Sequence, residues 1–250
     1  MQLPLYAHRL GRAYGPDSSL AALSRALEGP LAGLETDCCL TADGELVLLH
    51  DPLLDTGTTR SGWAHERTAA EIRAGRLRNA DGSPSEERPL LLEELLERAP
   101  AEMTLQLEVK AHADPALAVR TASALCQRLH DEPNRERIEM LSFWSGACAL
   151  AARCDFGARL VLWADHDPGA LAAWAEGAGV RGVCVEHFLL SPVLVEPLQA
   201  RGLSVTTGTV NQPALLERLA GLALDGVTSD RPHELRAALE TAPVALAAAA

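Results

Sequence analysis

The chain has 250 residues, of which 48% are hydrophobic and 22% are charged. This composition is typical of a globular protein and excludes a disordered one. Its 34 acidic residues against 22 basic ones give a formal net charge of −12, which argues against a nucleic-acid partner and against an anionic membrane surface.

Short strand-like runs alternate with amphipathic helical patterns along the chain, and several helical patterns have Pro at or next to the first turn. We predict strands near 4–9, 33–41, 104–110, 138–143, 159–164, 182–187, 203–208 and 226–230. We predict helices near 18–28, 89–98, 115–130, 145–153, 168–177, 192–200, 212–220 and 232–240. This alternation indicates a parallel sheet, and eight such units favour a closed (β/α)₈ TIM-type barrel as one domain over 1–240. An open doubly wound sheet is the alternative.

One segment interrupts the alternation. Residues 51–88 are rich in Gly, Ser, Thr and charged residues and are too long for an ordinary loop between a strand and a helix. We therefore predict an insertion after the second strand, at the C-terminal mouth of the barrel, where barrel enzymes carry their active sites. The low-complexity end, residues 241–250, is expected to be a flexible tail.

No apolar run approaches the roughly 20 residues of a membrane-spanning helix, so stable membrane insertion is not expected. The first residues, MQLPLYAHRLGR, lack the pattern of a signal peptide. The six cysteines include no CxxC pair, and we expect a cytoplasmic protein with reduced thiols. The sequence gives no indication of the oligomeric state.

Strand alternation places acidic side chains together. Within 33–41, Glu35 and Asp37 share a face, and within 104–110 the polar face carries Glu108 and Lys110. If the polar faces point into the barrel, three carboxylates converge, and one lysine is too little charge to offset them. A divalent cation with oxygen ligands, Mg²⁺, Ca²⁺ or Mn²⁺ rather than Zn²⁺, would balance the charge.

Two histidines lie at the ends of apolar runs near this cluster. His8 ends the first strand and precedes Arg9, while His50 ends the run LVLLH and precedes Asp51. Imidazoles serve as general acid and base near neutral pH. With a cation and an arginine to neutralise phosphoryl oxygens, the set suits a site that cleaves a phosphodiester.

These residues occur in a pattern that resembles the glycerophosphodiester phosphodiesterase family. The matching motifs run from the first strand to the last: AHR at 7–9, ETD at 35–37, TADGELVLLHD at 41–51, EVK at 108–110, TVN at 209–211 and TSDRP at 228–232. The match therefore extends over nearly the whole chain.

The resemblance implies a barrel enzyme that hydrolyses a glycerophosphodiester to a phosphomonoester and an alcohol. It implies that Glu35, Asp37 and Glu108 hold Mg²⁺ or Ca²⁺. By the same similarity His8 and His50 are the catalytic acid and base, and Arg9 and Lys110 contact the phosphate of a small-molecule substrate.

The chain departs from the family pattern at three positions. Leu10 stands between the HR pair and Gly11, so the loop above the phosphate is expected to be longer or differently bent. Asp17 replaces a glutamate, and Gly208 replaces the tryptophan of a WTVN segment. We therefore expect phosphodiester chemistry on a substrate other than plain glycerophosphocholine, with Trp63, Trp144 or Trp163 as candidate replacements for the missing aromatic wall.

Other functions stay open at this point. A two-histidine barrel also supports a phospholipase-type lyase that stops at a cyclic phosphate, and a catalytically silent binding protein could use the same scaffold. An aldolase-type barrel is disfavoured, because Lys110 is the only lysine and its neighbour Glu108 would keep it charged. Among the other histidines, only His187 ends a predicted strand and could line the mouth.

Overall fold

The computed structural model describes residues 3–219 and 221–241. Its strands are β1 (Leu5–Ala7), β2 (Gly33–Leu40), β3 (Leu46–Leu48), β4 (Thr104–Val109), β5 (Ile138–Ser142), β6 (Gly157–Leu162), β7 (Gly182–Glu186), β8 (Ser204–Gly208) and β9 (Gly226–Ser229). All except β3 pair in parallel, and β1 pairs with both β2 and β9. The sheet therefore closes, which confirms the (β/α)₈ barrel and excludes the open sheet.

Helices follow the strands around the outside of the barrel. They are α1 (Leu20–Ala26), α2 (Leu54–Gly57), α3 (Ala69–Arg73), α4 (Leu92–Leu96), α5 (Pro115–Arg128), α6 (Ser145–Arg153), α7 (Pro168–Ala178), α8 (Pro192–Gln199), α9 (Pro213–Arg218) and α10 (Pro232–Thr241). Hydrogen bonds from capping side chains fix where α5, α7 and α8 begin. The side chains of Asp114, Asp167 and Ser191 accept hydrogen bonds from first-turn amides, and a proline follows each of them, which fits the missing amide hydrogen of proline at that position.

Strand β3 (Leu46–Leu48) was not among the predicted strands. Thr41 and Gly44 form a tight turn, in which Gly44 has a φ of 86° and the amide of Thr41 donates to the carbonyl of Glu45 at 2.9 Å. The chain then returns antiparallel to β2, with Leu48 opposite Cys38. Three residues are too few to show a strand period. This return brings His50 back to the level of the barrel mouth.

The predicted insertion forms an ordered layer on the hairpin of β2 and β3. It contains α2, α3 and a 3₁₀ turn at Ala64–Glu66. A small cluster of buried apolar side chains joins it to the hairpin: Cys39, Val47, Leu49, Leu54, Ala64, Ile72 and Leu77. The rings of Trp63 and His112 lie 3.5 Å apart between centroids, so the insertion also contacts the loop after β4.

A polar network occupies the floor of the barrel, at the starts of β4, β5 and β6. Arg159 donates to both carboxylate oxygens of Glu139, at 2.9 and 2.8 Å, and to Ser204 at 2.6 Å. Gln106 donates to Glu139 at 3.0 Å. The acid and the base at the floor therefore neutralise each other. The mouth of the barrel, described below, carries an excess of acidic groups instead.

All six cysteines are free. In the described part of the chain no helix has both the length and the apolar character needed to cross a bilayer. Of the tail predicted at 241–250, Thr241 ends α10, and residues 242–250 lie outside the described residues.

Candidate active site

The three predicted carboxylates meet at the mouth of the barrel. Asp37 on β2 lies opposite Glu108 on β4 in the parallel register, and Glu35 lies two residues earlier on the same face of β2. One carboxylate oxygen from each residue lies within 4.8 Å of the others. Glu35, Asp37 and Glu108 are all buried, so the cluster is a shared, desolvated set of oxygen atoms.

Lys110 continues the polar face of β4 and contacts two of the acids. Its Nζ lies 2.8 Å from Oδ1 of Asp37 and 2.5 Å from Oε1 of Glu108. Its side chain is 11% exposed. The opposing acids hold the pKa of Lys110 above its usual value against the effect of burial, so the lysine is a fixed positive charge within the cluster.

Charge is distributed unequally among the acids. Burial would raise the pKa of Asp37, but the charges of Lys110, His50 and Arg9 outweigh burial and lower it to about 2. Glu35 lies 3.9 Å from Nε2 of His8 and accepts from the Arg9 amide, but these contacts do not offset its burial. Burial and the negative charge of Asp37 raise its pKa to about 7. Burial also raises the pKa of Glu108 despite the contact with Lys110.

A divalent cation fits this cluster. Oδ2 of Asp37 is buried and has no hydrogen-bond partner in the described structure, although a buried carboxylate oxygen ordinarily has one. Burial, together with the negative charge of Asp37, raises the pKa values of Glu35 and Glu108 despite the neighbouring cations, so a further positive charge would favour their ionised forms. Three clustered carboxylates supply the hard oxygen ligands that Mg²⁺ and Ca²⁺ take, so Glu35, Asp37 and Glu108 could hold either ion.

The chain turns sharply between His8 and Gly11. Arg9, Leu10 and Gly11 follow one another in the left-handed region, with φ of 49°, 61° and 94°. For the two residues that carry a side chain, such a conformation costs of order 1–3 kcal/mol each. Two interactions hold the turn. Leu10 is fully buried, and the Arg9 amide donates to Oε2 of Glu35 at 2.9 Å. The burial of Leu10 and the bond from the Arg9 amide therefore fix the turn that contains the extra leucine; its difference from the family pattern stays a prediction.

The Arg9 side chain lies against the acidic cluster. Its Nε is 3.9 Å from Oδ2 of Asp37, and its Nη1 donates to Oδ2 of Asp17 at 2.5 Å. Asp17 also lies 3.1 Å from Nε of Arg12. The shorter acid at position 17 therefore contacts both Arg9 and Arg12.

His8 is oriented by Asp230 and Asn211, for which no role was predicted. Its Nδ1 lies 2.6 Å from Oδ1 of Asp230, and its Nε2 faces Oε2 of Glu35 at 3.9 Å. Asn211 donates to Oδ2 of Asp230 at 2.7 Å and accepts from the Asp230 amide at 2.9 Å. Burial opposes protonation of His8, but Asp230 and Glu35 outweigh it and raise its pKa. The TVN and TSD segments had marked Asn211 and Asp230 only as motif positions.

His50 lies just beyond β3. Its Nδ1 is 3.1 Å from Oδ1 of Asp51, and its side chain is 32% exposed. Burial lowers its pKa, assisted by the positive charges of Lys110 and Arg9 and opposed by Asp37. The two imidazoles therefore differ: the surroundings favour protonated His8 and neutral His50.

The other residues singled out in the sequence, His187, Gly208, Trp144 and Trp163, lie in different surroundings. A cavity of about 320 Å³ is lined by His187, Thr209, Asn211, Gln212 and Leu215. Oγ1 of Thr209 lies 3.3 Å from Nδ1 of His8, so the cavity that His187 lines adjoins His8. At Gly208 a Cβ atom would lie 3.1 Å from Cβ of Thr228, which leaves little room for a larger residue. Trp144 packs partly buried against the core, whereas Trp163 is 65% exposed.

A closed parallel barrel with acids, imidazoles and cations at the C-terminal ends of its strands defines a barrel enzyme. The model of the glycerophosphoryl diester phosphodiesterase family matches residues 8–234. The chain is 36% identical over 248 residues to glycerophosphodiester phosphodiesterase 1 of Bos taurus, which covers 82% of this chain and 71% of that protein. It is 25% identical over 240 residues to a glycerophosphodiester phosphodiesterase of Caldanaerobacter subterraneus, which covers 94% of this chain and 97% of that protein.

Its fold is similar to that of an Oleispira antarctica phosphodiesterase solved in complex with the product sn-glycerol-3-phosphate. The TM-score is 0.85 at 24% identity, over 96% of this chain and 98% of that one. The chain belongs to the glycerophosphoryl diester phosphodiesterase family. It is therefore a phosphoric diester hydrolase by class, and the resemblance drawn from its motifs is confirmed.

Proposed function

We propose that this protein is a metal-dependent phosphodiesterase that hydrolyses a glycerophosphodiester to a phosphomonoester and an alcohol. The observation that carries the proposal is the buried cluster of Glu35, Asp37 and Glu108 beside an imidazole held by Asp230. The cation would be Mg²⁺ or Ca²⁺, since both accept an all-carboxylate set.

A bound divalent cation would supply Lewis-acid stabilisation of negative charge on the phosphoryl oxygens. The chain's own cations, Arg9 and Lys110, lie at the same cluster. Both would reach phosphoryl oxygens by loosening their present contacts with acids. Such pre-oriented positive charge stabilises the transition state most where water is excluded, and this requirement accords with the low exposure of both side chains, 13% and 11%.

In the proposed hydrolysis, the oxygen of water forms a bond to phosphorus while the bond from phosphorus to the alcohol oxygen breaks. One histidine accepts a proton from the nucleophile, and the other donates a proton to the leaving oxygen. Neutral His50 suits the base and protonated His8 the acid, in line with the directions of their pKa shifts. The polar cavity beside His8 would receive a hydroxyl-rich substituent of the diester.

The cyclic-phosphate route differs only in the nucleophile. A neighbouring hydroxyl of the substrate attacks phosphorus, and the reaction stops when the alcohol leaves. Phosphorus NMR of the reaction of glycerophosphoethanol with purified protein and Mg²⁺ or Ca²⁺ separates the two routes. We expect the signal of a phosphomonoester. A signal from a cyclic ester that persists would instead show that the protein is a lyase and not a hydrolase.

The role of the cluster is tested in the same assay. We expect EDTA, His8→Ala and His50→Ala each to abolish turnover, and His130→Ala, whose side chain is 73% exposed, to leave it unchanged. Metal binding with no turnover of any diester would show that the protein is a catalytically silent binding protein instead.

The six free thiols support a reducing compartment, and we propose the cytoplasm as the place of action.

A further inference from the structure

The insertion contains a cavity of its own, away from the carboxylate cluster. Its volume is about 260 Å³, and it is lined by Leu54, Arg60, Ser61, Arg67 and Glu71. We name it the insertion cavity. None of its lining residues belongs to the carboxylate cluster. Pockets for drug-sized ligands begin at roughly 300 Å³, so a cavity of this size suits a small molecule.

The two arginines of the insertion cavity differ from other arginines of the insertion. Arg73 lies 2.9 Å from a carboxylate oxygen of Glu94, and Arg78 donates to two backbone carbonyls. The side chains of Arg60 and Arg67 are exposed and form no ion pair or hydrogen bond with any residue that the structure describes. Acids outnumber bases in this chain by 34 to 22. Two neighbouring arginines without an acidic partner therefore offer their charge to an external anion.

Two glycines give these arginine side chains room to lie against the backbone. At Gly75 a Cβ atom would lie 2.6 Å from Cγ of Arg60, and at Gly62 it would lie 3.3 Å from Nη2 of Arg67. Each side chain thus packs on the insertion instead of extending freely into water. Such packing reduces the rotamer freedom that remains to be lost on binding a ligand, so the two guanidinium groups are partly pre-oriented.

The third charged group of the insertion cavity is Glu71. Its Oε2 accepts from the amide and the hydroxyl of Thr68, at 2.8 and 3.0 Å, whereas its Oε1 has no hydrogen bond among the described residues. The cavity therefore presents two cationic groups and one free acceptor. A phosphomonoester carries close to two negative charges at neutral pH, and guanidinium groups bind phosphate oxygens bidentately. A hydroxyl on the same molecule would donate to Oε1.

We propose that the insertion cavity is a second binding site, which takes a small hydroxylated phosphomonoester such as glycerol phosphate. The site depends on Arg60 and Arg67 and needs no metal ion. It does not depend on the proposed function, although glycerol phosphate is also a phosphomonoester that the proposed hydrolysis would release.

The test is calorimetric titration of the purified protein with glycerol phosphate in the presence of Mg²⁺. The double variant Arg60→Gln/Arg67→Gln is expected to bind glycerol phosphate at one site fewer than the wild type, or at that site at least about tenfold more weakly, because two charge-assisted contacts are lost. Arg88→Gln is the matched control, since it removes the same charge from an exposed position of the insertion outside the cavity. It is expected to bind like the wild type. Glycerate, a carboxylate with one negative charge, is expected to bind this site more weakly than glycerol phosphate.

Several results would overturn the inference. One is equal binding of glycerol phosphate by the double variant and the wild type. Another is an equal loss of binding in Arg88→Gln, which would show that only the overall charge matters. Binding of glycerate as tight as that of glycerol phosphate would assign the cavity to carboxylates. The proposed function is judged separately: if the wild type hydrolyses no diester but only the double variant loses the site, the second site stands and the phosphodiesterase fails.

Discussion

The hydrogen-bonded pair of His8 and Asp230 offers a sharp test of the proposed chemistry. In Asp230→Asn the charge is lost while the size of the side chain is kept. Asn211 cannot adapt to the change, because its Oδ1 already accepts from the Asp230 amide at 2.9 Å and from Ser229 Oγ at 3.0 Å. Its amide nitrogen therefore stays directed at position 230.

Either orientation of the new asparagine costs an interaction. If its oxygen faces His8, its amide nitrogen meets the amide nitrogen of Asn211, donor against donor. If it is reversed, its amide nitrogen faces Nδ1 of His8 and forces the wrong tautomer on the imidazole. The lost bond is charge-assisted, 2.6 Å long and partly buried. Such bonds contribute about 1.5–3 kcal/mol, which corresponds to a loss of about 10- to 150-fold in kcat/KM.

The assay compares two diesters with leaving groups of different basicity, glycerophosphoethanol and bis(p-nitrophenyl) phosphate. If His8 protonates the leaving alcohol, the loss is large for the ethyl ester and small for the nitrophenyl ester, whose leaving group needs no proton. The control is Asp225→Asn, because Asp225 accepts from the Val205 amide at the far end of β8. Full activity of Asp230→Asn on both diesters, with unchanged KM, would refute the role of His8.

Two further predictions concern charge and stability. Glu139→Ala leaves the Arg159 guanidinium buried without its acid, which should lower the free energy of unfolding by about 3–5 kcal/mol in urea titration, whereas Glu139→Met/Arg159→Met should lose less. Arg159 outweighs the effect of burial and lowers the pKa of Glu139 below 4.5, so this stabilisation is present above that pH and is lost as the pH falls below it. At the mouth, Glu35→Gln removes a buried like charge and keeps an acceptor for the Arg9 amide. In EDTA it should unfold at a higher temperature than the wild type, and with saturating Mg²⁺ or Ca²⁺ this order should reverse, because only the wild type retains all three carboxylates. An unchanged order in calorimetry would show that the cluster holds no ion.

The barrel and its acidic cluster could be predicted because both follow from a period of two. Alternation along 33–41 and 104–110 fixed which side chains share a face, and the parallel register of β2 and β4 then set Asp37 opposite Glu108. Strands that follow one another in the chain usually lie side by side in such a fold. The clustering of Glu35, Asp37 and Glu108 could therefore be predicted without knowing the conformation of any loop.

The orientation of His8 could not be predicted in this way. Asp230 is 222 residues from His8 in the chain, and the two meet only because β1 and β9 close the barrel. Asn211 reaches Asp230 from a loop beyond β8, and loop geometry has no period. The short strand β3, which returns His50 to the mouth, was missed for the same reason: a turn and three residues carry no repeating pattern.

Closure of the barrel also explains why the mouth tolerates unfavourable local features. Two residues with side chains are left-handed in the turn after β1, and three acids crowd behind it. The strained backbone and the crowded acids both lie at the C-terminal ends of the strands. At the opposite end of the barrel, the charged residues Glu139 and Arg159 are paired. Since Leu10 is buried beneath the turn and the Arg9 amide contacts Glu35, the strained backbone itself positions an acid of the cluster. A more relaxed turn would move that amide away, so the strain at Arg9 and Leu10 is inseparable from the placement of Glu35.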